Sequence, residues 1–159
     1  MLSNKLKYEN KRNDFNIELL IKLRLDFIIM IGAELSDENK HILRIQLDNY
    51  YRKHILLGDF IAYLAEDEHR IMAAAFMVIG ERPAGMSFIT GITGTILNVI
   101  TYPEFRNNGY ATLLIKSLIH KAKKLNVTAI DLNATQMGEK VYQHLGFATI
   151  EDTAMRLIL

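Results

Sequence analysis

The sequence predicts an α/β domain built on a mixed sheet, and three observations carry that prediction. Two long stretches with apolar residues at helical spacing come first, a pair of short apolar runs joined by a charged connector follows, and then apolar runs alternate with helical ones. The order is helix, helix, hairpin, strand, helix, strand, helix, strand. A chain of 159 residues has the length of one domain. No repeat, low-complexity tract or linker divides it, so residues 1–159 are expected to fold as one unit.

Each element has a local reason. From Asp14 to Ile31, Ile17, Leu20, Ile21, Phe27, Ile28 and Ile31 recur at helical spacing, with Lys22, Arg24 and Asp26 mostly on other faces. Ser36 reads as the N-cap of a second helix, with Asp37 and Glu38 where the helix dipole favours acids and Gly58 as its stop. Phe60–Ala65 and Ile71–Ile79 read as an antiparallel hairpin across Glu66, Asp67, Glu68 and His69. Thr95–Thr101 is a β-rich run that ends in a turn on Pro103. A third helix runs from about Gly109 to Leu125, turning Ala111, Leu114, Ile115, Leu118, Ala122 and Leu125 inward. Val127–Leu132 is a strand, Gln136–Leu145 a short helix, and Phe147–Leu159 is expected to supply one or two closing strands.

Composition removes several classes of function. Half the residues are hydrophobic and 23% are charged, which excludes a disordered chain. Nineteen lysines and arginines face 18 aspartates and glutamates. That balance gives no reason to expect a nucleic-acid or membrane surface, although Lys5, Lys7, Lys11 and Arg12 make the first residues locally basic. With no cysteine there is no disulfide, no thiolate metal site and no acyl-cysteine intermediate. The five histidines, at 41, 54, 69, 120 and 144, lack metal-ligand spacing, so no metal is expected. The first residues lack the apolar core of a secretory signal, and a cytoplasmic location is the expectation. Pro83–Pro103 is uncharged, but its glycines, serine and threonines suit a loop entering a buried strand better than a membrane span.

The segment that carries chemistry is a strand, I-L-N-V-I-T, then the turn Y-P-E-F, then R-N-N-G-Y-A at the start of the third helix. A helix N-terminus presents unpaired N–H groups and a partial positive charge, so an anion meets donors already aimed at it. Gly109 has no Cβ and lets a phosphate approach the backbone, Ala111 is nearly as small, and Arg106 can add charge or hold the turn. The same segment could also be a purely structural turn. Neither G-x-x-x-x-G-K-S/T nor G-x-G-x-x-G is present, which removes the main support for kinase-like or dinucleotide-binding functions.

Arg106, Gly109 and Ala111 fill the pattern Q/R-x-x-G-x-G/A, and Val141–Phe147, V-Y-Q-H-L-G-F, is similar to L-Y-x-x-x-G-F. With these two landmarks in order, the chain resembles the GNAT N-acetyltransferase superfamily, strongly over Asp59–Phe147 and in element order elsewhere. The resemblance implies a single GNAT-like domain: a twisted, mostly antiparallel mixed sheet with splayed central strands, flanked by about four helices. It implies acetyl-CoA as co-substrate, with the pantetheine arm on the backbone of Val99, Ile100 and Thr101. The pyrophosphate then belongs on the N–H groups of Asn107, Asn108, Gly109, Tyr110, Ala111 and Thr112, beside Arg106.

By the same resemblance Tyr142 protonates the departing thiolate, a task that a phenol with a pKa near 10 suits. The implied reaction is direct attack by a primary amine of a small molecule or peptide, with no metal. Many family members carry a glutamate base on the bulged strand, whereas Gly94–Thr101 contains no acid. Asn98 could hold a relay water, and Glu81 or Asp131 could serve as base. Thr135 stands where many members have Asn, and it can cap the last helix. The acceptor is expected between the first two helices and the loop Arg82–Thr93, with Tyr50, Tyr51, Met86 and Phe88 as apolar contacts. The competing reading is an acyl-CoA sensor without turnover. A homodimer is suggested by family habit and by the apolar M-R-L-I-L near residue 159.

Overall fold

The computed structural model describes residues 5–9, 16–67 and 70–159. Lys11, Arg12, Asp14, Glu68 and His69, which the sequence reading used, lie outside them. In chain order the elements are β1 (Lys5–Glu9), α1 (Ile17–Met30), α2 (Asp37–Leu57), β2 (Phe60–Glu66), β3 (Ile71–Glu81), β4 (Ile92–Ile96) and β5 (Ile100–Thr101). A 3₁₀ turn (Pro103–Phe105) leads to α3 (Tyr110–Lys124), β6 (Ala129–Leu132) and α4 (Glu139–His144). β1 was not foreseen, because Lys5, Lys7 and Glu9 leave only Leu6 and Tyr8 as its apolar pattern, too short to read.

Capping follows the sequence. Asn16 Oδ1 accepts from Leu19 N at 3.1 Å to start α1, and Ser36 Oγ accepts from Asn39 N at 3.1 Å to start α2. Gly58, with φ 77°, ends α2 in the left-handed region that a Cβ disfavours.

The sheet order is β1-β2-β3-β4-β6, with β5 also on β3, and every pairing is antiparallel except that of β4 with β6. Two apolar clusters cover its two faces. Phe60, Ala62, Leu64, Ala74, Phe76 and Ile100 pack under α1 and α2. Ile61, Ala65, Ala73, Ala75 and Met77 pack under Leu114, Ile115, Leu118 and Ala122 of α3. Because both faces are covered, β2 and β3 read as continuous apolar runs without alternation.

Two expectations need correction. The run Thr95–Thr101 is not one strand: β4 stops at Ile96 and β5 begins at Ile100. The closing strands expected over Phe147–Leu159 are not formed, since no strand follows β6 among the described residues. Met155, Leu157, Ile158 and Leu159 are 82–111% exposed. Strand composition alone does not make a strand; the backbone groups need a neighbouring edge, and among the described residues this segment pairs with none. None of the described helices is long and apolar enough to cross a membrane.

Candidate active site

The site begins with a defect in the sheet. Met77 pairs with Ile96 and Ala74 with Ile100, so four steps along the β4–β5 segment face three steps of β3. The extra residue makes a bulge over Leu97–Val99, which re-aims the backbone there. On the other side, β4 and β6 stay parallel only from Thr93 opposite Ala129 to Ile96 opposite Leu132. Beyond that register the two strands part, and the gap between them opens into a cavity of about 810 Å³.

The cavity runs along the splay to the start of α3. Ile96, Leu97, Val99 and Thr101 form one wall, Asn133, Thr135, Gln136, Val141 and Tyr142 the other, and Arg106, Asn107 and Gly109–Thr112 close the end. Of the residues singled out in the sequence, Val99, Thr101, Arg106, Asn107, Gly109, Tyr110, Ala111, Thr112 and Tyr142 are on the wall. Ile100 is not: its side chain is buried with α1 and α2, and its backbone pairs with Ala74. Asn108 also turns away, donating to Phe105 O at 3.1 Å and Arg106 O at 3.0 Å and so fixing the turn. Phe27, Met30 and Ile31 line the cavity as well and were missed as site residues. Their signal was an apolar stripe at the end of the first helix, which reads as core until the helix is placed.

The end of the cavity is electrostatically prepared for an anion. Leu113 is the first residue of α3 to return its N–H to the chain, to Gly109 O at 3.0 Å. Among the described residues, the N–H groups of Tyr110, Ala111 and Thr112 have no backbone acceptor. Asn107, with φ 62°, and Gly109, with φ 79°, bend the chain into this start, and a Cβ built on Gly109 meets nothing within 4 Å. The space above the helix is therefore open to a phosphate-sized group. Arg106 Nε donates to Thr101 O at 3.3 Å, which ties the turn to β5. Thr101 Oγ1 is buried in the wall without a hydrogen-bond partner among the described residues, an unmet need that a polar ligand group could fill.

Tyr142 stands on α4, its ring edge-on to Phe147 with centroids 5.9 Å apart. Burial pushes its phenol up from 10, so it stays protonated at neutral pH. Thr135 Oγ1 accepts from Gly138 N at 3.2 Å and sets the turn that carries α4.

The proposed proton acceptors are placed differently. Asn98 is fully buried, with Nδ2 donating to Leu23 O and Oδ1 accepting from Arg24 Nη1, each at 3.4 Å. Asp131 is off the cavity wall in an ion pair with Arg82 at 2.7 Å, and Glu81 is exposed at the end of β3. Among the described residues no aspartate or glutamate lines the cavity. Tyr51 packs on Phe60 and Phe76 at 2% exposure, and neither Tyr50, Met86 nor Phe88 reaches the cavity wall. Among the described residues no group of three or more His, Asp or Glu is close enough to hold a metal ion.

A family model described as Acetyltransferase (GNAT) family matches residues 30–147. No curated protein sequence matches the chain at a significant level. Among solved structures the chain is similar to a predicted acetyltransferase from Clostridium acetobutylicum determined with acetyl-CoA, at 27% identity over 96% of each chain and a TM-score of 0.84. It is also similar to a GCN5-related N-acetyltransferase from Ralstonia eutropha JMP134, at 17% identity over 97% of this chain and 98% of that one and a TM-score of 0.82. Glucosamine-6-phosphate N-acetyltransferase from Arabidopsis thaliana shares 15% identity over 98% of both chains with a TM-score of 0.69. At such identities the last two likenesses concern the fold.

Proposed function

Because the chain belongs to the GNAT acetyltransferase family, we propose that it transfers an acetyl group from acetyl-CoA directly to a primary amine of a small molecule or peptide. The observation that carries this reading is one cavity that joins the unpaired N–H groups of α3, the unpartnered Thr101 hydroxyl and the Tyr142 phenol. The N–H groups of Asn107–Thr112 hold the pyrophosphate together with Arg106, and the backbone of Val99–Thr101, at and just after the bulge, holds the pantetheine arm. The bound thioester supplies an activated acetyl group.

This chain's residues position the reactants and handle protons. Tyr142 keeps its proton because it is buried, and gives it to the departing thiolate. With no carboxylate on the wall among the described residues, the amine loses its proton to water in the cavity, whose wall carries the polar side chains of Thr101, Asn133, Thr135 and Gln136. Positioning then carries most of the rate gain. The same lack of a carboxylate favours a second reading, a sensor that binds acyl-CoA without turnover.

A thiol-release assay with acetyl-CoA against a panel of amines and peptides, run beside Tyr142→Phe, separates the two. Amine-dependent release that falls in the variant supports transfer. Coenzyme A binding without release under any acceptor supports the sensor.

We also propose a homodimer in which the apolar segment Met155–Leu159 of each copy pairs with the open edge of β6 on the other. Each copy offers the strand-forming segment and the free edge together, and reciprocal exchange closes with two-fold symmetry. Light scattering should give twice the 18.2 kDa chain mass. A single-chain mass at working concentration rules the dimer out.

A further inference from the structure

The arginines of the described residues divide into two groups. Arg44 pairs with Glu18, Arg52 with Asp48, Arg70 with Asp67 and Arg82 with Asp131. Arg24, Arg106 and the exposed-segment Arg156 have no carboxylate partner among the described residues. Arg106 stands at the anion-binding end of the cavity, where a pyrophosphate answers its charge. Arg24 is different, because it is half-buried within the fold and no described residue neutralises it.

Its surroundings make that unusual. The guanidinium lies 5.6 Å from the ring centre of Phe27, a cavity-lining residue, and donates at 3.4 Å to Asn98, whose neighbours Leu97 and Val99 line the same cavity at the bulge. Burial pushes the phenols of Tyr50 and Tyr51 up, and the Arg24 charge opposes it in both, which puts the cation beside these rings. Two acids of the same layer are engaged elsewhere: Asp26 of α1 accepts from Tyr102 and Lys22, and Asp59, after α2, accepts from His54. Five donors on a fixed planar fork are thus met by one long contact to an amide oxygen. A partly desolvated cation without a counter-ion is costly, and a bidentate carboxylate is the ligand that fits its geometry.

We propose that Arg24 is the acceptor-specificity residue: the amine that is acetylated also carries a carboxylate, which pairs with this guanidinium beside the bulge. The inference rests on the acetyl-transfer reading and narrows its substrate class to amino acids or peptides with a carboxylate near the amine. Arg24 lies six residues before Met30, to whose sulfur Arg106 donates, so about 9 Å of α1 separates the helix position that carries Arg24 from the position that Arg106 reaches. The anionic part of the donor lies against Arg106 on the cavity wall, and the carboxylate of the acceptor meets Arg24 beside the bulge, off that wall.

The test compares amino acids and short peptides, each beside its primary amide, in the thiol-release assay with wild type, Arg24→Gln and Arg24→Lys. Coenzyme A binding is measured by calorimetry on the same samples. Wild type should prefer the carboxylate form at least about tenfold in kcat/KM, the lower range for a lost charged contact. Arg24→Gln should erase that preference with coenzyme A affinity unchanged, and Arg24→Lys should keep part of it. An equal rate on acid and amide, an equal loss on both in Arg24→Gln, or coenzyme A binding without turnover of any carboxylate overturns the proposal. Failure to bind coenzyme A at all is the separate failure of the acetyl-transfer reading, and it overturns this proposal with it.

Discussion

Arg82 Nη2 lies 2.7 Å from Asp131 Oδ2, joining the end of β3 to β6 across the intervening strand β4. Arg82 Nε also reaches Thr93 Oγ1 on β4 at 3.3 Å. This ties Asp131 into the sheet surface, away from the cavity. Asp131→Asn is therefore expected to leave acetyl transfer within about twofold of wild type and to cost no more than about 1 kcal/mol in a urea titration, as exposed ion pairs do. Loss of turnover with an intact fold would return Asp131 to the role of base.

Gly109 holds φ 79° at the entry to α3. An added methyl has room there but forces an L-residue into the left-handed region, at a cost of roughly 1–2 kcal/mol. Gly109→Ala should lower the melting temperature and weaken coenzyme A binding by calorimetry, because relaxing the strain moves the donor groups of α3. Unchanged affinity would separate this glycine from the anion site.

Tyr142→Phe removes one hydroxyl and keeps the ring against Phe147. Loss of a general acid typically lowers kcat by about 10²-fold or more, with KM for acetyl-CoA nearly unchanged. A thioester with a more acidic leaving thiol should recover part of the loss. Equal rates in both proteins would make Tyr142 a packing residue only.

Alkaline stability follows from the tyrosines. Tyr50, Tyr51, Tyr102 and Tyr142 are all pushed above 10, in each case mainly by burial. In the unfolded chain they titrate near 10, so the unfolded state loses its protons first. The contribution of these phenols is complete below pH 10 and is lost as pH rises through their folded values. The urea midpoint should fall between pH 9 and pH 11, and Tyr51→Phe should show a smaller fall.

The sequence by itself determined the succession of elements from α1 to α4 apart from the break within Thr95–Thr101, the caps at Ser36 and Gly58, and the turn–helix segment around Gly109, because these depend on neighbours a few residues apart. It also brought out Tyr142 and the lack of an acid in Gly94–Thr101. Only the tertiary structure decided that Leu97–Val99 bulges away from β3, since that rests on a register between strands twenty residues apart. It alone showed that Ile100 faces the opposite layer, that Asp131 is engaged by Arg82, and that Phe147–Leu159 has no strand partner among the described residues. The isolation of Arg24 from the carboxylates of the described residues belongs here too. A charge is paired or unpaired only once distant acids have been placed, and no local pattern around residue 24 contains that information.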